Sequence, residues 1–197
     1  MLQYIINENK PRDIIDIAIN SLNNGCQWIR VDLSQLCTSE IESTIKTLQQ
    51  KCNEHDAFLS IENDVETAVS FRALGVHLAN NNGDAIVDAR KRLGEETIIG
   101  ITINDAAEAP FLPRTAIDYV AINSEDLKTC REVVEQMKAS GLDEPVVAPY
   151  SNTTKLALLM QTGINGIAVH HSIIPTTKLP DLLDELNEIV EHRLKNL

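Results

Sequence analysis

Short runs of Ile, Val and Leu recur along this chain. Between them, apolar residues fall at the three- and four-residue intervals of a helix. The runs cover 2–7, 26–33, 57–62, 75–78, 97–102, 116–122, 145–148 and 165–170. YII, FLSI, GVHL, TIIGIT, DYVAI, PVVA and GIAV are nearly all apolar, as strands covered on both faces should be. The stretches 13–23, 40–53, 65–73, 84–93, 125–140, 154–161 and 179–194 predict amphipathic helices. In the first of these, Ile14, Ile17, Ala18 and Leu22 lie at helical spacing. The stretch 105–112 predicts a weak helix broken by Pro110 and Pro113. Turn signals fall where helices must give way to strands, at Asn24 and Gly25, Leu74 and Gly75, and Gly163.

Alternation this regular argues for parallel β/α units. Eight units favour closure into a compact (β/α)8 TIM barrel, of class α/β, over an open doubly wound sheet. No linker or composition break interrupts the chain, so 1–197 is expected to form one domain. In such a barrel the chemistry sits at the C-terminal ends of the strands. The search for a site therefore reduces to a few residues at eight places.

Composition narrows the picture further. Aromatics make up only 4% of the chain, so its core is expected to rest on Ile, Leu, Val and Ala. The net charge of −12 repels nucleic acid and anionic membranes, and gives no help in recruiting polyphosphates. The expected partner is a small molecule at the barrel mouth, with no nucleic acid and no membrane. MLQYIINENKPRD has no basic region followed by a long apolar run, so it does not read as a signal peptide. Cys26, Cys37, Cys52 and Cys130 are widely spaced, which reads as reduced thiols in a cytoplasmic protein.

Several segments then stand out together. They are I-E-N-D at 61–64, Ala68 with Val69, G-V-H-L at 75–78, A-R-x-x-L-G at 89–94, I-I-G-I-T at 98–102, D-Y-V at 118–120, P-V-V-A at 145–148 and G-I-N-G-I-A-V at 163–169. In this order and spacing the chain resembles the thiamine phosphate synthase/TenI family of barrels, as a divergent member. The resemblance implies a thiamine phosphate synthase-like transferase, which joins a pyrimidine pyrophosphate to a thiazole phosphate and releases pyrophosphate. That reaction needs magnesium and basic groups on the leaving group, because charge develops there. The TenI branch instead carries tautomerases that use a His at the end of the fifth strand. Relatives are often dimers, so a homodimer is the implied assembly.

Matched to the family residue by residue, the site departs from its pattern. Where the second strand of the family carries Q-L-R-x-K, this chain has Arg30, Asp32 and Ser34 on one side of the strand, pointing to the lumen if Ile29, Val31 and Leu33 face the helices. Arg30 and Asp32 are expected to pair with each other, and Trp28 to fill the lumen below them. By resemblance, Asn63 contacts pyrophosphate and Asp64 is a magnesium ligand, with the N-cap of the following helix as the alternative role. Asn80 stands at a substrate Gln. Asn82 stands at the second magnesium Asp, or Asp84 replaces it if the loop is one residue longer. On the fifth strand Thr102 keeps a hydroxyl, while Asn104 replaces the tautomerase His. After the sixth strand the T-x-T-K phosphate loop is missing, and Glu125 and Asp126 read as a cap and first turn. Pro149 and Tyr150 replace a glycine phosphate turn, and His170 and His171 replace an I-S turn.

The substrate-binding set is therefore Arg30, Asp32, Asn63, Asn80, Thr102, Asn104, Tyr150, His170 and His171, with Asp64 and Asn82 as the metal set and Mg²⁺ as the implied cofactor. Tyr150 is placed at the mouth, and at most one of His170 and His171 faces the lumen. His77 is read as structural. Two functions stay open: an enzyme acting on a thiazole- or pyrimidine-like substrate, and a non-catalytic ligand-binding or regulatory barrel.

Overall fold

The computed structural model describes residues 1–79 and 82–195. Eight parallel strands close into a barrel in sequence order, each paired with the next and the last with the first. The strands are β1 (Leu2–Asn7), β2 (Trp28–Asp32), β3 (Phe58–Glu62), β4 (Gly75–Leu78), β5 (Ile98–Ile103), β6 (Tyr119–Ile122), β7 (Val146–Pro149) and β8 (Gly166–His170). The helices are α1 (Pro11–Asn23), α2 (Thr38–Glu54), α3 (Val65–Ser70), α4 (Gly83–Leu93), α5 (Leu127–Ala139), α6 (Leu156–Met160) and α7 (Leu179–Leu194). Closure is fixed by Leu2 facing Ile167 and Tyr4 facing Val169 on one side of β1, and by Tyr4 facing Ile29 on the other.

Alternation along each strand sorts the side chains into two layers. Tyr4, Ile29, Val31, Leu59, Ile61, Ile99, Ile101, Val120 and Val169 point outward and are buried with Ile14, Ala18, Ile45 and Leu48 of the helices. This layer is mainly aliphatic, as the composition predicts, with Tyr4 an aromatic member. The lumen is not. Its lower part is filled by Trp28, whose ring meets Phe58 and Tyr119 edge-on, both with centroids 5.1 Å away. Two glycines make room for these rings. A Cβ on Gly100 would land inside the Tyr119 ring, and one on Gly75 would collide with Phe58. Three of the chain's seven aromatic residues thus plug the interior, while Tyr4 and Tyr150 lie in the helix-facing layer.

Element boundaries shift from the sequence expectation where local chemistry competes. The stretch 105–112 becomes a 3-10 helix at Ala106–Phe111, because Pro110 cannot donate the α-helical bond. Expected strands 26–33 and 116–122 shorten to Trp28–Asp32 and Tyr119–Ile122, since the ladder has partners only there. Helix 125–140 begins at Leu127, because Asp126 is its N-cap and Glu125 lies outside it.

Candidate functional site

The strand ends bring a polar floor and rim together above the aromatic plug. Arg30 is the one Arg or Lys within the eight strands. Its Nε donates to Glu62 Oε2 at 2.9 Å and its Nη2 to Glu62 Oε1 at 3.2 Å. Its Nη1 reaches Gln3 Oε1 at 3.5 Å. The expected Arg30–Asp32 pair does not form. Asp32 instead accepts from the Asn7 amide at 3.0 Å and from the Ser34 backbone N–H at 2.9 Å. The cause is strand stagger: Glu62 lies next door on β3 and presents both oxygens to the Nε–Nη2 edge of the guanidinium, a geometry that Asp32 on the same strand cannot offer.

Beside this pair, His77 is fully buried between two hydroxyls. Its Nδ1 lies 2.7 Å from the Tyr119 hydroxyl and its Nε2 lies 2.8 Å from Thr102 Oγ1. Burial, with a smaller push from Arg30, holds His77 well below the usual histidine range, so the ring is neutral. Burial also pushes the Tyr119 phenol up to about 12, so it stays protonated. Below the ordinary histidine pKa of about 6.5 the unfolded chain takes up a proton that native His77 refuses. Stability contributed by neutral His77 is present above that pH and lost as pH falls below it, at up to about 1.4 kcal/mol per pH unit. His77→Gln should flatten this slope between pH 6.5 and pH 5 in urea unfolding; an unchanged slope would refute the assignment.

At the rim, His170 Nδ1 accepts from the Ser172 backbone N–H at 3.3 Å and lies 2.7 Å from the Ser172 hydroxyl. That places the proton of the neutral ring on Nε2. Burial first, then His171, lowers its pKa, while Glu62 pulls the other way. His171 turns toward β1, with Nε2 at 3.1 Å from the Asn7 carbonyl and 3.6 Å from Glu8. Asn104 donates to Glu108 and accepts from Asn123 at 3.2 Å.

Other expected site residues serve the backbone. Asn63 adopts φ +54 and its Oδ1 accepts from the Ala79 N–H at 2.7 Å, tying the end of β3 to the end of β4. Asp64 caps α3, with one oxygen accepting from the Thr67 N–H at 2.9 Å and the other from the Thr67 hydroxyl at 2.5 Å. Asn82 caps α4 through the Ala85 N–H at 3.2 Å. Asp84 is exposed in the first turn of α4. Asn80 lies outside the described residues. Among the described residues no three His, Cys, Asp or Glu side chains are grouped so as to hold a metal ion.

Tyr150 corrects the sequence expectation. It belongs to the helix-facing core, is 5% exposed, and lines a cleft with Ile174, Leu182 and Glu185. Pro149, one residue earlier, takes the lumen side opposite Ala168. The sequence reading missed Glu62, Tyr119 and Asn123. Alternation from Ser60 would have flagged Glu62, but nothing local signalled its partner.

The family described as "Thiamine monophosphate synthase" matches residues 2–173. The chain belongs to that family. A thiamine-phosphate synthase of Bacteroides fragilis is 28% identical over 96% of this chain and 98% of its own length. The thiamine phosphate pyrophosphorylase of Pyrococcus furiosus superposes with a TM-score of 0.76 at 25% identity, covering 96% of this chain and 95% of that one. The fold extends beyond the family, as an orotidine 5'-phosphate decarboxylase from Pyrococcus horikoshii superposes with a TM-score of 0.68 at 13% identity. No helix among the described residues is long and apolar enough to cross a membrane. Within the thiamine monophosphate synthase family, this chain presents a mouth of amides, hydroxyls, neutral imidazole and carboxylates, with its strand-borne cation already paired.

Proposed function

We propose that the mouth of this barrel binds a small, polar, unphosphorylated ring compound of the kind from which thiamine is built, and that the chain acts in thiamine metabolism as a ligand-binding member of its family. One observation carries this reading: both oxygens of Glu62 engage Arg30, so the cation best placed to stabilise a departing diphosphate is already neutralised. The remaining groups suit hydrogen bonding to ring nitrogens and amino groups: Thr102, Asn104, Asn123, Asp32 and the His170 ring. Polar groups already held by fixed partners, such as Thr102 on His77 and Asn104 between Glu108 and Asn123, give such a site its selectivity. Magnesium is not invoked in this reading, in which Asp64 serves as the cap of α3 through Thr67.

A second reading, thiamine phosphate synthase activity, is favoured by the similarity to curated synthases over nearly the whole chain. Purified protein supplied with pyrimidine pyrophosphate, thiazole phosphate and Mg²⁺ separates the two. The expected result is pyrophosphate release at background, no thermal shift from either phosphorylated compound, and a rise in Tm with the pyrimidine alcohol. Sustained release that Asp64→Ala abolishes would replace the binding role with the synthase.

A further inference from the structure

Glu125 stands at an unusual place. It sits between the end of β6 and the cap of α5, yet its carboxylate turns away from that helix toward the loop that follows β7. There Oε2 accepts from the Ser151 backbone N–H at 2.8 Å and from the Ser151 hydroxyl at 2.7 Å, while Oε1 accepts from the Thr153 hydroxyl. Ser151 follows Pro149, the last residue of β7, by two residues, in the loop at the C-terminal end of that strand. A backbone N–H and two hydroxyls converging on one point make a seat for an anion, and barrels of this class commonly hold phosphate at the loops after their last two strands. In this chain the seat is filled from within. The neighbouring seat is filled in the same way: the N-terminus of α5 gives its Thr129 N–H to Asp126 at 2.8 Å and its Thr129 hydroxyl at 2.9 Å.

We propose that Glu125 is a specificity-determining residue: its carboxylate occupies the rim's anion seat and so turns the site against phosphate monoesters. The proposal deepens the reading of an unphosphorylated ligand and rests on it for its biological sense. Two effects act together. The donors of Ser151 and Thr153 are spent, and an approaching phosphate meets a fixed like charge. A carboxylate held by the chain itself is present at a high effective concentration, so a free anion must compete with an intramolecular one.

Removing the carboxylate should open the seat to a phosphate. The probe is inorganic phosphate at 10 mM, about tenfold above the dissociation constant of ~1 mM expected for such a seat, with chloride at matched ionic strength as the control. Glu125→Ala should gain at least ~3 °C in Tm with phosphate, while the unaltered protein gains less than ~1 °C. Glu125→Gln, which keeps the shape of the side chain, should gain in the same direction. Adding Ser151→Ala and Thr153→Ala to Glu125→Ala should remove the gain. Phosphate stabilising the unaltered protein as much as the variants, or failing to stabilise folded Glu125→Ala and Glu125→Gln, would overturn the proposal. These outcomes are independent of pyrophosphate release: synthase turnover with an opened seat in Glu125→Ala would sink the binding function and leave the Glu125 assignment standing.

Discussion

Arg30→Met is expected to remove about 3–5 kcal/mol of stability, a large part of the margin of a domain this size. The side chains of Arg30 and Glu62 are 10% and 14% exposed, so the substitution strands a carboxylate with little water to solvate it. The loss comes from that stranded charge more than from the pair itself, since two charges brought out of water roughly repay their desolvation only when matched. The double variant Arg30→Met/Glu62→Leu should therefore recover most of the loss. At about 2–4 °C per kcal/mol for a chain of this length, the single variant should melt about 6–20 °C below the parent. Urea unfolding followed by circular dichroism measures both variants. A single-variant loss under about 1 kcal/mol would mean that water reaches Glu62 and that the floor is wetter than described.

Gly100→Ala is the second large effect. The added methyl has nowhere to go except the Tyr119 ring. That ring is held at both ends, by the 2.7 Å hydrogen bond between its hydroxyl and His77 Nδ1 and by the edge of Trp28. Close-packed interiors resist such insertion, and a cost of about 3 kcal/mol or more is expected. Combined with Tyr119→Leu, the same Gly100→Ala change should cost less than about 1 kcal/mol, because the obstacle has gone. Equal costs in the two backgrounds would show that the lumen rearranges freely around β5. That would also weaken the assignment of His77 as a fixed, neutral element of the site, since Tyr119 is what holds its Nδ1.

These two sites show how far the sequence reaches. The apolar runs and helical spacing dictate eight β/α units, and eight parallel units that bury one face against helices and the other against each other have a closed ring as their compact solution. Alternation along β2 likewise puts Arg30 and Asp32 on the lumen side, because side-chain direction in a strand is a local property. The sequence also carries the family, through short motifs in a fixed order.

The partner of each side chain was left to tertiary structure. Glu62 meets Arg30 because neighbouring strands are staggered, and that stagger is set by closure of the whole ring. Tyr150 faces α7 and Pro149 the lumen because the register of β7 on β8 decides which parity points inward, and a short strand ending in Pro gives no periodicity from which to read it. In the fold Asn63 takes a left-handed conformation with its side chain on the Ala79 N–H, and Asp64 caps a helix, since those backbone groups must be satisfied somewhere. Glu125 reads as part of a helix start until a loop distant in sequence supplies three better donors. Local chemistry thus determined the scaffold and the parity of its strands, and long-range packing decided which charges remain available to a ligand.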